Sequence, residues 1–231
     1  VDMEHSPVDV GDLVHLLQAI SGTAMLPITR VPWNDPVVVK RVLDAGARTL
    51  MFPFIQNALE ARQAVSASKY PPEGSRGMAA MSRASRFGTT PNYLQNANQF
   101  MCVIVQLETP EAIAQLEAIA AVPGIDALFI GPGDLSASMG HVGNAAHPDV
   151  IQLIQDAVNR AHAAGKRVGT VGGTPSMVRQ YREMGFDFVA IASDLAFLVR
   201  SAQAAVQELS GPASQNAPVA TAAIEQNKEV Y

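Results

Sequence analysis

Short apolar runs recur along the chain at residues 25–30, 48–54, 100–108, 126–130, 167–171 and 186–192. They do not alternate strictly with polar residues, which is the pattern of strands covered on both faces. Between them lie segments with helical spacing, at 9–20, 36–45, 58–68, 110–121, 148–164, 175–184 and 194–209. Asp35-Pro36, Thr109-Pro110 and Thr174-Pro175 put a capping residue and a proline at helix starts, and Gly46, Gly165 and Gly185 stand where helices should stop. Strand–helix alternation of this kind predicts parallel strands joined by crossover helices. At this size the commonest closed form is a (β/α)8 TIM barrel, with a doubly wound open sheet as the alternative.

The strand count falls short of a closed barrel. Residues Val1 to His5 read as the tail of one more strand, making about seven where eight are needed. The first strand and helix are therefore expected to be missing, with about 40 further residues upstream of Val1 in the natural protein, at usual element lengths. The stretch 210–231 is rich in Ala, Ser, Gln, Asn and Pro and shows no apolar period. It is expected to be a flexible tail, leaving 1–209 as the barrel domain.

Composition narrows the class. A chain of 231 residues that is 48% hydrophobic can bury a sizeable core. A net charge of −5 with no Lys/Arg cluster argues against nucleic acid or an anionic membrane as partner. No apolar stretch reaches roughly 18 residues, so no membrane span is expected, and no signal-peptide layout is present. The single cysteine, Cys102, lies in an apolar run and reads as a small core residue, which fits a reducing cytoplasm.

The chemistry is expected where strands end, because catalytic groups of parallel barrels sit at that face. Gln106-Leu107-Glu108 closes one strand, and Gly131-Pro132-Gly133-Asp134 directly follows the next. Neighbouring strands are about 4.8 Å apart, so two carboxylates on adjacent strand ends can share one hard divalent cation at about 2.0–2.2 Å. Gly131 and Gly133 allow close backbone approach to a ligand. Glu108 also reads as a first-turn acid of the helix opening at Pro110, and Asp134 as an N-cap. Taken together with the glycines, they favour a metal site.

Asp2, Glu4 and His5 fall at a strand end as well, and a histidine there is a candidate acid/base or a surface residue before Ser6-Pro7. Arg30 closes its strand at the same face, where it suits a carboxylate, whether of a small anionic substrate or of a structural salt bridge. Asp44 stands in the last turn of its helix, against the dipole, and should have a cationic partner such as a protonated histidine. His15 and His162 read as solvated or packing residues, and His141 and His147 as turn residues. Residues 73–83 form a glycine-bearing loop expected to line the mouth or an interface. Cys102 has no basic neighbour and is a poor nucleophile candidate.

At these residues the chain resembles a known family, the class II pyruvate aldolases of the HpcH/HpaI type, 4-hydroxy-2-oxoheptanedioate aldolases. The resemblance is carried by Val1-Asp2-Met3-Glu4-His5-Ser6-Pro7, Arg30-Val31-Pro32, Val42-Leu43-Asp44-Ala45-Gly46-Ala47, Tyr70-Pro71-Pro72-Glu73-Gly74-Ser75-Arg76-Gly77, Val105-Gln106-Leu107-Glu108-Thr109 and Phe129-Ile130-Gly131-Pro132-Gly133-Asp134-Leu135-Ser136. It implies a (β/α)8 barrel and reversible aldol cleavage to pyruvate. It implies a divalent cation (Mg2+, Mn2+ or Co2+) on Glu108 and Asp134, Arg30 on the pyruvate oxygens, His5 paired with Asp44 as the acid/base dyad, and Gln106 and Gly133 beside the substrate. It also implies a homo-hexamer, a trimer of dimers exchanging C-terminal helices.

The substrate implied is 4-hydroxy-2-oxoheptanedioate, giving succinate semialdehyde with the pyruvate. Alternatives are 2-dehydro-3-deoxyglucarate, 2-keto-3-deoxy-rhamnonate, or acyl-CoA chemistry of the citrate lyase beta type. No lysine falls at a candidate strand end, which argues against a Schiff-base aldolase. A phosphate-binding isomerase finds only a weak signal in Gly172-Gly173-Thr174, and a non-catalytic assembly subunit would leave the polar residues at the strand ends unexplained.

Overall fold

The computed structural model describes residues 1–210. In chain order the elements are α1 (Val10–Ile20), β1 (Ile28–Arg30), α2 (Pro36–Asp44), β2 (Thr49–Phe52), α3 (Ala58–Ser68), the short α4 (Tyr93–Asn96), β3 (Cys102–Leu107), α5 (Pro110–Ala114), α6 (Leu116–Ala120), β4 (Ala127–Ile130), α7 (Pro132–Ser138), α8 (Pro148–Ala163), β5 (Arg167–Val171), α9 (Pro175–Glu183), β6 (Phe188–Ala190) and α10 (Asp194–Ser210). The strands form one sheet in the order β1-β2-β3-β4-β5-β6, and every pair is parallel. Each strand therefore lies beside its predecessor. A doubly wound sheet reverses its order at a switch point, so that alternative is set aside.

Beyond β1 the sheet continues into the first residues. The Val1 ammonium donates to the Ile28 carbonyl at 2.7 Å, the Arg30 amide to Val1 at 2.8 Å and the Met3 amide to Arg30 at 3.0 Å. Asp2 bridges Arg30 in parallel register. The expected strand tail is thus present as far as Met3. Among the described residues no ladder joins this segment to β6, and the sheet is a curled half-barrel with two edges rather than a ring of eight.

The parallel register sorts the strand residues onto two faces. Leu50, Phe52, Val103, Val105, Leu107, Leu128, Ile130 and Val168 point to the helices and join the main core with Val42, Leu43, Leu116, Ile154 and Tyr181. Truncating one of these, such as Leu107→Ala, would cost about 2–5 kcal/mol. Met51, Ile104, Ala127 and Phe129 fill the concave face, with Ile28, Cys102 and Phe188 packed against them. Residues an even step from that set or paired with it, Arg30 beside Met51 and Gln106 beside Phe129, share the concave face at its carboxyl end.

Local chemistry sets most element ends. Asp35, Thr109 and Thr174 accept hydrogen bonds from the first-turn amides of α2, α5 and α9, each followed by proline. Gly46, Gly165 and Gly185 take the left-handed conformation after α2, α8 and α9 (φ 108°, 71° and 97°). The expected helix over 110–121 is interrupted at Gln115, whose amide turns back to the Ala112 carbonyl, but Ile113, Leu116 and Ile119 keep one continuous buried stripe. The strand expected from residue 25 begins only at Ile28. Met25 and Leu26 are exposed, and Pro27 has no N–H for the ladder.

The long connection between α3 and β3 packs at the amino ends of the strands. Arg83 Nη1 donates to the Ala45 carbonyl at the end of α2, and Arg76 Nη2 pairs with Asp44 at 2.7 Å. Because α2 runs back to the start of β2, this loop lies opposite the carboxyl ends and does not line the mouth. The chain divides into two compact units at Ile191. In the second unit α10 is the described element, and none of its residues is buried. The tail expected at 210–231 lies, beyond Ser210, outside the described residues. Among the described residues no helix is long and apolar enough to cross a membrane.

Candidate active site

Period-two geometry places Gln106 and, two residues on, Glu108 on one side of the β3 end. Glu108 is 2% exposed, and its carboxyl accepts the Phe54 amide on Oε2 and the Gln106 Nε2 group on Oε1, each at 3.0 Å. Thr109, not Glu108, caps α5, so the first-turn-acid reading fails. Phe54 is held at φ 54°, a conformation costing roughly 1–2 kcal/mol for a residue with a side chain. It lets the Ile55 amide rejoin β3 at the Gln106 carbonyl while the Phe54 amide points at Glu108. Behind the carboxyl stands Gly131, where any Cβ would collide with Glu108 Oε1.

Burial pushes the Glu108 carboxyl up to about 7, with the Phe54 amide opposing it and Asp134 and Glu4 adding to it; Arg30 opposes it more weakly. Asp134 lies in the first turn of α7, exposed, and the N-cap of that helix is Gly131. Pro132 at the first helical position turns the chain sharply after β4, which brings Asp134 over the end of the neighbouring strand. Gly133 is exposed, with open space around it.

Arg30 is clasped by the first residues of the chain. Nε and Nη2 donate to the two Asp2 oxygens at 2.8 and 2.6 Å, and Nη1 meets Glu4 Oε2 at 2.8 Å. Burial works against the Asp2 carboxylate, but Arg30 and the Glu4 and His5 amides outweigh it and hold its pKa below the usual value. Glu4 is shifted upward by burial despite Arg30. A guanidinium has five N–H donors, and only two of those on Arg30 are spent in hydrogen bonds, both to Asp2, which leaves donors for a further anion. His5 is exposed, and its Nε2 lies 3.6 Å from Glu4 Oε2.

A divalent cation fits this donor set. Glu108 is a buried carboxyl that a positive partner would return to its charged form, and the Oε1 of Gln106, buried beside it, has no hydrogen-bond partner. All donors are oxygens, as Mg2+ or Mn2+ requires.

Asp44 does not meet His5 within the chain. It stands at the end of α2, near the amino ends of the strands, and its cationic partner is Arg76, whose side chain is 1% exposed and stacks on Tyr70 at 4.3 Å. The partner sensed from the helix dipole exists, but it is an arginine. The Cys102 thiol is shifted upward by burial, in keeping with a packing role. The cleft lined by His162, Gly165, Lys166, Arg167 and Asp187 opens at the start of β5, away from Glu108. Sequence reasoning missed the Phe54 amide and the Glu4 contact with His5. Only Glu4 carried a signal, as an acid two residues after Asp2 on the same face.

Comparison with known proteins bears on these residues. The family model described as HpcH/HpaI aldolase/citrate lyase matches residues 1–201. A Pseudomonas putida protein named 2-dehydro-3,6-dideoxy-6-sulfogluconate aldolase is 54% identical over 222 residues, 96% of this chain and 87% of that one. A Salmonella heidelberg protein named 4-hydroxy-2-oxo-heptane-1,7-dioate aldolase is 48% identical over 205 residues, 88% of this chain and 78% of that one. The crystal structure of an HpcH/HpaI aldolase/citrate lyase family protein from Burkholderia cenocepacia superposes with a TM-score of 0.88 at 43% identity, covering 91% of this chain and 84% of that one.

Proposed function

Since the chain belongs to the HpcH/HpaI aldolase/citrate lyase family, we propose that it is a divalent-metal-dependent aldolase that reversibly cleaves a 4-hydroxy-2-oxo acid to pyruvate and an aldehyde. The observation that carries this reading is the buried Glu108 carboxyl, held from both sides at the end of β3 beside Asp134 and Arg30. The substrates named for the two relatives share a chemistry. Each is a 2-oxo acid with a methylene at carbon 3, a hydroxyl at carbon 4 and a second anionic group at the far end. Breaking the bond between carbons 3 and 4 of such an acid releases pyruvate.

Glu108 and Asp134 would hold the cation, which supplies Lewis-acid stabilisation of the negative charge developing on the 2-oxo oxygen. Arg30 adds a fixed positive charge beside that oxygen through N–H groups not spent on Asp2, and Asp2 and Glu4 keep the guanidinium oriented. Gln106 offers its unpartnered Oε1 toward the same space while its amide nitrogen holds Glu108. His5, with Glu4 as its acidic neighbour, takes the proton of the 4-hydroxyl as the bond between carbons 3 and 4 breaks, and a proton delivered to carbon 3 completes pyruvate; condensation runs both transfers in reverse.

The reading extends to a complete (β/α)8 barrel, supported by the sequential parallel strand order, and to a cytoplasmic enzyme, in keeping with a single cysteine. It extends also to a homo-hexamer, supported by the exposed Leu195, Phe197, Leu198 and Leu209 of α10. Pyruvate release should be measured from 4-hydroxy-2-oxo acids ending in carboxylate, in sulfonate or in a neutral group, with an acyl-CoA ester as control. Release from an anionic-tailed 4-hydroxy-2-oxo acid, 4-hydroxy-2-oxoheptanedioate being the first choice, is the expected result. Turnover of the thioester alone would move the chain to the lyase branch of its family.

A further inference from the structure

The connection from α7 to α8 folds back on itself through two residues in the left-handed region, Gly140 (φ 83°) and Gly143 (φ 74°). Backbone hydrogen bonds hold the turn: the His141 amide donates to the Ser136 carbonyl, Asn144 to His141 and His147 to Asn144. The fold of this turn brings together three residues separated in sequence. The rings of His141 and His147 stack with centroids 3.5 Å apart and planes 13° apart. Asp149 Oδ2 lies 3.7 Å from His147 Nδ1 and 4.0 Å from His141 Nε2, and the three ligand-type atoms fall within 4.8 Å of one another.

We propose that His141, His147 and Asp149 form a second metal site, separate from Glu108 and Asp134, for a borderline divalent cation of the Zn2+ class. Two imidazole nitrogens and one carboxylate oxygen select Zn2+, Co2+ or Ni2+ over Mg2+, which prefers oxygen alone. At bond lengths of about 2.0–2.1 Å the ligand atoms of a tetrahedral site stand roughly 3.3 Å apart, so the 3.7 and 4.0 Å spacings must shorten by roughly 0.4–0.7 Å, and one imidazole must turn out of the stack so that both ring planes meet at the ion. The Asp149 side chain is 68% exposed and has room to swing in. The hydrogen bond that His147 Nδ1 accepts from the Asp149 amide is a long 3.3 Å, and that weak cap is what a cation would replace. Three protein ligands leave the remaining position to water. Because α8 runs to the start of β5, its first residues stand at the carboxyl end of the strands, and the bound ion would tie the turn after α7, the helix of Asp134, to α8.

The test uses the full chain carrying Glu108→Gln, which disables the oxygen site, stripped of metal and dialysed against Zn2+ with excess Mg2+. The metal retained is then counted per chain by elemental analysis, and Co2+ substitution is followed by visible absorption. One Zn2+ per chain is expected, with a tetrahedral Co2+ spectrum. His141→Ala and His147→Asn should each weaken Zn2+ uptake at least tenfold, the second keeping a capping side chain on α8 so that its loss reports the imidazole. Uptake that persists in either variant, or that is absent from the parent, overturns the proposal and leaves the aldolase reading untouched.

Discussion

Glu108 is a carboxyl with a donor on each oxygen and almost no water, and its titration is its clearest signature. The folded value of about 7 exceeds the ordinary 4.5, so the metal-free fold holds a proton that the unfolded chain has released between those two values. Its contribution, on the order of 3 kcal/mol, is present below about pH 4.5 and is lost as pH rises through about 7. Cation binding needs the carboxylate. The apparent Mn2+ affinity should therefore rise about tenfold per pH unit up to about pH 7 and then level. Calorimetric titration from pH 5 to 8 reads this directly, and an affinity flat with pH would remove Glu108 from the ligand set. His5→Ala should lower kcat by about 10²–10⁴-fold while pyruvate affinity stays near the parent value; equal loss of both would make His5 a binding residue. At this scale the sequence named Glu108, Asp134, Arg30 and His5, because strand-end position and residue type are both local. It did not show Phe54, whose role comes from its backbone amide and a left-handed φ that no side-chain pattern announces.

The junction of β4 with α7 is shaped by Gly131, where a methyl group would meet Glu108. Its backbone lies at φ −92°, which alanine adopts freely, so Gly131→Ala should fold and keep its thermal midpoint within a few degrees while losing most of its cation affinity. A variant binding Mn2+ like the parent would show that Glu108 can move aside without consequence. At the other end of α2, Asp44→Asn leaves the buried Arg76 without its counter-ion. A lowered midpoint is expected, from a loss of about 3 kcal/mol, with Arg76→Met in the same chain recovering part of it; an unchanged midpoint would contradict the pairing. Helix starts were legible because Asp35, Thr109 and Thr174 act on their own first turns. Strand ends were not, because a strand stops where its neighbour stops, and runs such as 25–30 shorten to what the ladder can pair. The ion pair of Asp44 was hidden for a related reason: Arg76 lies 32 residues away on a loop whose position depends on the whole α3 to β3 connection.

Across the whole molecule, sequential parallel strands gather Asp2, Glu4, Arg30, Gln106, Glu108 and Asp134 at one end of the sheet, although they span 133 positions. The alternation of apolar runs and capped helices made the parallel sheet legible, and the comparisons agree with it. Closure was not legible in the same way, since it depends on pairing between strands far apart in sequence, and the described sheet stays open between residues 1–3 and β6. The gathering supports the proposed function, since Asp2 and Glu4 pair with Arg30 while Glu108 and Asp134 are left at the same end as ligands for a cation. The most direct test is pyruvate release from 4-hydroxy-2-oxoheptanedioate by the parent and by Glu108→Gln, each before chelation, after it, and after Mn2+ is returned. The parent should lose activity on chelation and regain it with Mn2+, while Glu108→Gln stays orders of magnitude slower throughout; a chelated parent, or a Glu108→Gln variant, working at the full rate would contradict a metal-dependent aldolase centred on Glu108.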